Sequence, residues 1–292
     1  MYNGIWLPIV TPFRSGIVDI EALQLLTEHY LRADISGIVA LSTTGETALL
    51  SDTERATVLQ AITDVARNRL PVIVGVAGYN TLNITDEIRR FDHWDVAGYL
   101  VSAPSYVRPD QAGVQWHFEQ VAQATERPIV LYNVPHRTGV SIDPETVNRL
   151  TRFDNIVAVK ECDPQNFNAL RSAPVSVLCG TDDAFGECLK RGGAGGILAT
   201  AHICADLLIE AYDLSQQNRQ AETYALLESI RPLLKLLFSA PNPAAIKAML
   251  AMELPISAET RMPISPASAE LVARLREARD SLQELRSAMS SS

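Results

Sequence analysis

The stretch "NIVAVKECD", Asn155 to Asp163, sets an amine where a buried strand ends. Four apolar residues, Ile156 to Val159, run straight into Lys160, Glu161 and Cys162. Desolvation at such a position disfavours a charged ammonium, and a neutral amine is a nucleophile. The plainer alternative is that Lys160 and Glu161 begin a solvated loop. Lysine usage bears on the choice. Among 25 basic residues only four are lysines, and Lys190, Lys235 and Lys247 lie in the helix-like contexts "FGECLKRGG", "LLKLLF" and "AAIKAML". Lys160 is the only lysine at a strand end.

Other chemistry-bearing groups sit at the ends of apolar runs. "STTGE" (Ser42 to Glu46) offers hydroxyls and, through Thr43, Thr44 and Gly45, successive backbone N–H groups suited to a carboxylate. "APSY" ends on Tyr106, and "YNVPHRTG" carries Tyr132 and Arg137. Taken singly, Thr-Thr-Gly is also a plain turn, Tyr132 a core aromatic and Arg137 a loop charge. Convergence on one cavity would change that reading, and convergence depends on the fold.

The elements that could bring them together repeat along the chain. Eight short β-rich runs, "WLPIVTPF", "GIVALST", "PVIVGVAG", "GYLVSAP", "RPIVLYNVP", "NIVAVKE", "VSVLCGT" and "GGILAT", alternate with amphipathic segments such as "DTERATVLQAITDVARN". Helix starts are marked by a capping box at Ser51 to Glu54 and by Asp143 before Pro144. Near-continuous hydrophobic strands separated by helices indicate a parallel sheet, and eight units indicate a (β/α)8 TIM barrel, whose strand ends share one mouth. A doubly wound open sheet is the alternative, but no GxGxxG follows the first run. We assign residues 1–204 to the barrel and 205–292 to a C-terminal helical extension packed on it, with the final "SSS" frayed.

Composition limits the partners. A net charge of −9 with no Lys/Arg cluster argues against nucleic acid and anionic membrane surfaces. The start "MYNGIWLPIV" lacks the features of a signal peptide, and no run of about 18 apolar residues occurs, so a cytoplasmic protein is expected. Cys162, Cys179, Cys188 and Cys204 form no CxxC pair and the histidines are scattered, which supports neither a disulfide framework nor a metal site.

In combination, "STTGE", "PSYVRPDQAGVQWHF", "YNVPHRTG" spaced before "VKE", "GTDD" and "NPAAIKAML" resemble the dihydrodipicolinate synthase and N-acetylneuraminate lyase family, from "GIWLPIVTPF" to about residue 247. The resemblance implies a class I pyruvate aldolase that needs no metal or organic cofactor, because the substrate itself forms an imine with Lys160. It implies Tyr132 as the acid/base phenol, with Thr44 and Tyr106 completing a hydroxyl relay and Tyr106 reaching in from a neighbouring subunit. Thr43, Thr44 and Gly45 match the pyruvate carboxylate site, and Ile197 matches a further substrate-binding position. A homotetramer built from two tight dimers is implied as well.

Arg137 in "RTG" fits the synthases of the family, which grip the carboxylate of L-aspartate 4-semialdehyde, better than the sugar-acid lyases. Condensation of that aldehyde with pyruvate, on the route to diaminopimelate and lysine, is therefore expected. Another pyruvate aldolase or dehydratase acting on a keto-sugar acid is the alternative. A non-catalytic barrel would have lost the lysine or the phenol, and both are present. Ser42, Ser105, Val107 and the "KECDP" segment depart from the common pattern around the mouth. The resemblance sets Ser105, Asp52 and Arg55 at the cleft where inhibited members bind lysine, and implies that free lysine inhibits weakly or not at all: an arginine repels ammonium groups and a serine offers no ring to pack on the stem, whereas Asp52 would attract an ammonium.

Overall fold

In the computed structural model, which describes residues 2–290, ten strands alternate with helices. They are β1 (Gly4–Pro8), β2 (Phe13–Arg14), β3 (Ile17–Val18), β4 (Gly37–Ala40), β5 (Val72–Val76), β6 (Gly98–Ser102), β7 (Ile129–Asn133), β8 (Ile156–Glu161), β9 (Ser176–Cys179) and β10 (Gly195–Ile197). Eight of them close into a parallel barrel in the order β1-β10-β9-β8-β7-β6-β5-β4. Each matches one apolar run of the sequence. The first run is split: Phe13 belongs to the small antiparallel hairpin β2–β3, which the sequence reading did not anticipate.

Alternation along each strand sorts the core into two layers. Trp6, Val39, Ile73, Leu100, Val130 and Ala158 fill the barrel, while Leu7, Ile38, Val74, Val101, Leu131 and Val159 face the helices. Strand β8 therefore sends Ala158 inward and Val159 outward, and the same alternation turns Lys160 toward the interior and Glu161 away from it.

The helices Ile20–Tyr30, Asp52–Ala66, Thr81–Phe91 and Gln111–Ala124 start on side-chain caps that satisfy early N–H groups. Ser51 and Glu54 form the expected capping box ahead of Asp52–Ala66, and Asp110 accepts from the Gly113 N–H. Asp143 precedes the helix Pro144–Leu150 as expected, but its side chain makes no capping hydrogen bond.

The helix Ala201–Gln216 packs against β1 and runs through the 204/205 boundary drawn from the sequence, with a local departure from helical geometry at Cys204. The barrel's last helix thus continues to Gln216, and the extension proper begins with Gln220–Leu237, followed by Ala244–Leu250 and Ala269–Ser290. Ser290, the first of the three terminal serines, is helical, and the other two lie outside the described residues. No described helix is long and apolar enough to cross a membrane.

All seven residues of Ala244–Leu250 are buried, and Lys247 among them is wholly inaccessible. Its Nζ pairs with the Glu46 carboxylate, donates to the Glu259 carbonyl at 2.9 Å and lies 4.2 Å from the centre of the Phe13 ring. Glu46 also accepts from the Arg261 N–H at 2.8 Å. Burial pulls the Lys247 ammonium down to about 8 against the opposing pull of Glu46. This buried cluster ties the extension to the loop two residues beyond Thr44.

Candidate active site

Lys160 and Tyr132 face one another because β7 and β8 pair in parallel with those two residues in register. The Lys160 Nζ stands 4.3 Å from the centre of the Tyr132 ring, and the residues are 6% and 9% exposed. Their outward neighbours lock the same rung. Asn133 Nδ2 donates to both carboxylate oxygens of Glu161 at 2.9 Å, and Asn133 Oδ1 accepts from the Ile142 N–H. Burial raises Glu161 to about 7, although Asn133, the Asp163 N–H and Asn166 all donate to it. On the other side of Lys160, a Cβ at Gly180 would lie 3.0 Å from the Lys160 Cγ and 2.5 Å from the Cys162 Sγ. Glycine there leaves the lysine stem its room.

Lys160 opens into a cavity of about 350 Å³ at the C-terminal mouth, which Tyr132, Thr43, Thr44, Arg137 and Ile197 also line. Six of the eight residues singled out from the sequence are thus brought together. Gly45 is not among the lining residues. Its N–H closes a turn on the Ser42 carbonyl at 3.0 Å and its carbonyl accepts from the Thr11 hydroxyl at 2.7 Å. The expected three-residue nest is therefore reduced to Thr43 and Thr44, the central residues of that turn. Tyr106 stands outside as well, 89% exposed on a left-handed backbone with φ of 69°. Arg137, on the short helix Pro135–Thr138, makes no ion pair among the described residues and is free to meet a carboxylate.

Several lining groups carried no assigned role in the sequence reading. Asp182 is buried and accepts from the N–H and the hydroxyl of Thr200 at 2.8 and 2.6 Å. Burial raises its carboxyl, while the Thr200 bonds and the Lys160 charge pull the other way. Asp182 and Lys160 line the same cavity. Cys162 lines the cavity with its thiol pushed up by burial, and Lys235 and Phe238 of the extension form part of the rim. Asn242 donates from Nδ2 to the Thr44 hydroxyl at 3.0 Å. "GTDD" and "NPAAIKAML" held the signal for Asp182 and Asn242, but only the fold points them at the mouth.

A second cavity of about 300 Å³ lies on the other side of Tyr132 and shares Thr43, Arg137 and Asn242 with the first. Its remaining walls are largely apolar, among them Leu41, Val76, Leu100 and Ile264. Arg55, expected to present a free charge nearby, instead pairs with Asp52 and with Glu87 at 3.2 Å. Its charge is neutralised, which removes that part of the case against lysine binding.

A closed parallel barrel with an enclosed lysine at a strand end, set against a phenol, defines the class: an aldolase-type lyase barrel. The chain belongs to the dihydrodipicolinate synthetase family, whose model matches residues 1–281. It is 37% identical over 279 residues to 4-hydroxy-tetrahydrodipicolinate synthase 2 of Clostridium acetobutylicum, covering 94% of this chain and 98% of the relative. With the 4-hydroxy-tetrahydrodipicolinate synthase of Legionella pneumophila it shares 34% identity, over 92% and 94% of the two chains. The crystal structure of dihydrodipicolinate synthase from Thermotoga maritima superposes with a TM-score of 0.93 at 30% identity, over 96% and 99% of the two chains.

Proposed function

We propose that this protein is a 4-hydroxy-tetrahydrodipicolinate synthase, condensing pyruvate with L-aspartate 4-semialdehyde. The observation that carries the reading is the contact between Lys160 and Tyr132 inside a mouth that also holds Arg137, which has no ion-pair partner among the described residues. The names of the relatives support it.

In this mechanism the Lys160 amine adds to the ketone of pyruvate and water leaves, giving an iminium. Loss of a methyl proton yields an enamine, whose carbon attacks the aldehyde. Attack of the semialdehyde's own amine on the imine carbon then closes a six-membered ring and frees Lys160. Tyr132 moves the protons. Thr43 and Thr44 hold the pyruvate carboxylate, Thr44 also serves the relay, and Ile197 borders the substrate. No metal or organic cofactor takes part.

Tyr106 completes the relay from a neighbouring copy. The second cavity beside Tyr132 and Thr43 is of a size to receive an aromatic ring, and Tyr106 projects from its own subunit's surface. A tight dimer is the assembly this reading requires; its pairing into a homotetramer and a cytoplasmic location are part of the same proposal.

A coupled assay that offers aspartate semialdehyde beside keto-deoxy sugar acids tests the substrate. Turnover of the semialdehyde with pyruvate is expected; preference for a sugar acid would move the protein to the alternative member of the class. Arg137→Ala should lower kcat/KM for the semialdehyde by about tenfold or more, the worth of one charge-assisted contact of roughly 1.5–3 kcal/mol. Imine formation with pyruvate should persist in that variant. Unchanged semialdehyde kinetics would reduce Arg137 to a loop charge.

A further inference from the structure

Asn242 lies between the helices Gln220–Leu237 and Ala244–Leu250, 198 residues from Thr44, and its amide nitrogen donates to the Thr44 hydroxyl at 3.0 Å. The arrangement is held rigidly. The following helix is entirely buried and anchored through Lys247 to Glu46, on the same loop as Thr44. The Asn242 Oδ1 is buried without a partner among the described residues, and Asn242 borders both cavities.

A threonine hydroxyl has one proton to give and two lone pairs to receive. An amide NH2 can only donate, so it occupies a lone pair of Thr44 and leaves the threonine proton to point elsewhere. Thr44 is itself buried and lines the Lys160 cavity. Building on the functional reading above, we propose that Asn242 is a positioning residue that sets the polarity of Thr44, turning its proton into the cavity so that it donates to the substrate or to the relay.

Asn242→Asp tests this, because it keeps the shape and reverses the polarity. A carboxylate can only accept, so it would draw the Thr44 proton away from the site; once protonated, it can donate again. At pH 8 the expected kcat/KM for pyruvate falls roughly a hundredfold in Asn242→Asp and about tenfold in Asn242→Ala, fold-changes corresponding to one charged or one neutral hydrogen bond. The ratio of Asn242→Asp to wild type should rise as pH is lowered from 8 toward about 4, the range in which an aspartic acid takes up its proton. A packing role predicts the opposite order, with alanine the worse variant and a ratio independent of pH.

Melting temperatures establish that both variants fold, and borohydride trapping of pyruvate on Lys160 in the wild type tests the underlying reading separately. If wild-type Lys160 is labelled but Asn242→Asp matches or exceeds Asn242→Ala, or its ratio to wild type is flat with pH, the polarity role is wrong and the functional reading stands. If wild-type Lys160 takes no label, both fall.

Discussion

Tyr132→Phe is expected to lower kcat by about 10²- to 10⁴-fold, the range over which a positioned general acid–base acts. The substitution is a narrow one. Phenylalanine keeps the ring that packs among Leu100, Val130 and Ala158 and lies over the Lys160 amine, and removes only the oxygen. The melting temperature should therefore stay close to that of the wild type. Steady-state kinetics with both substrates make the check. A variant retaining more than about a tenth of wild-type kcat would show that the phenol is a wall of the cavity and that the proton carrier lies elsewhere.

Lys247→Met should destabilise the fold by about 3–5 kcal/mol, because it leaves the Glu46 carboxylate buried without its cation. The Arg261 N–H remains as a partner but carries no full charge. A loss of this size corresponds to a fall in melting temperature on the order of 10 °C. Glu46→Leu combined with Lys247→Met should cost less than the sum of the two single changes, since no uncompensated charge is then buried. Calorimetry of the three variants decides the matter. Single variants within about 1 kcal/mol of wild type would show that the pair does not hold the extension to the Thr44 loop.

The barrel was legible because its strands are buried on both faces, so each reads as an apolar run rather than an alternation. The hairpin β2–β3 was not, since its strands are two residues long and leave no pattern to read. Lys160, Tyr132 and Arg137 stood out through residue type at a strand end, and the barrel supplies their convergence. The turn that engages Gly45 was not legible, because its internal hydrogen bonds, here to Ser42 and Thr11, are not written in residue types. Asn242 and Lys247 could not be placed from sequence for a different reason. Their partners lie about two hundred residues away, and only the packing of the extension over the mouth brings them together. The 204/205 boundary falls inside the helix Ala201–Gln216 because helix periodicity does not distinguish a helix packed on β1 from the helices that follow it.

Reductive trapping tests the central claim most directly. Incubating the protein with pyruvate and borohydride, then mapping the modified peptide by mass spectrometry, should locate a reduced pyruvate adduct on Lys160 within "VAVKECDP", with irreversible loss of activity. Lys160→Arg should take no label, because a guanidinium stays protonated and cannot serve as the amine. An adduct on Lys190, Lys235 or Lys247, or no adduct in a folded and active wild-type protein, would contradict the assignment of Lys160 as the Schiff-base nucleophile.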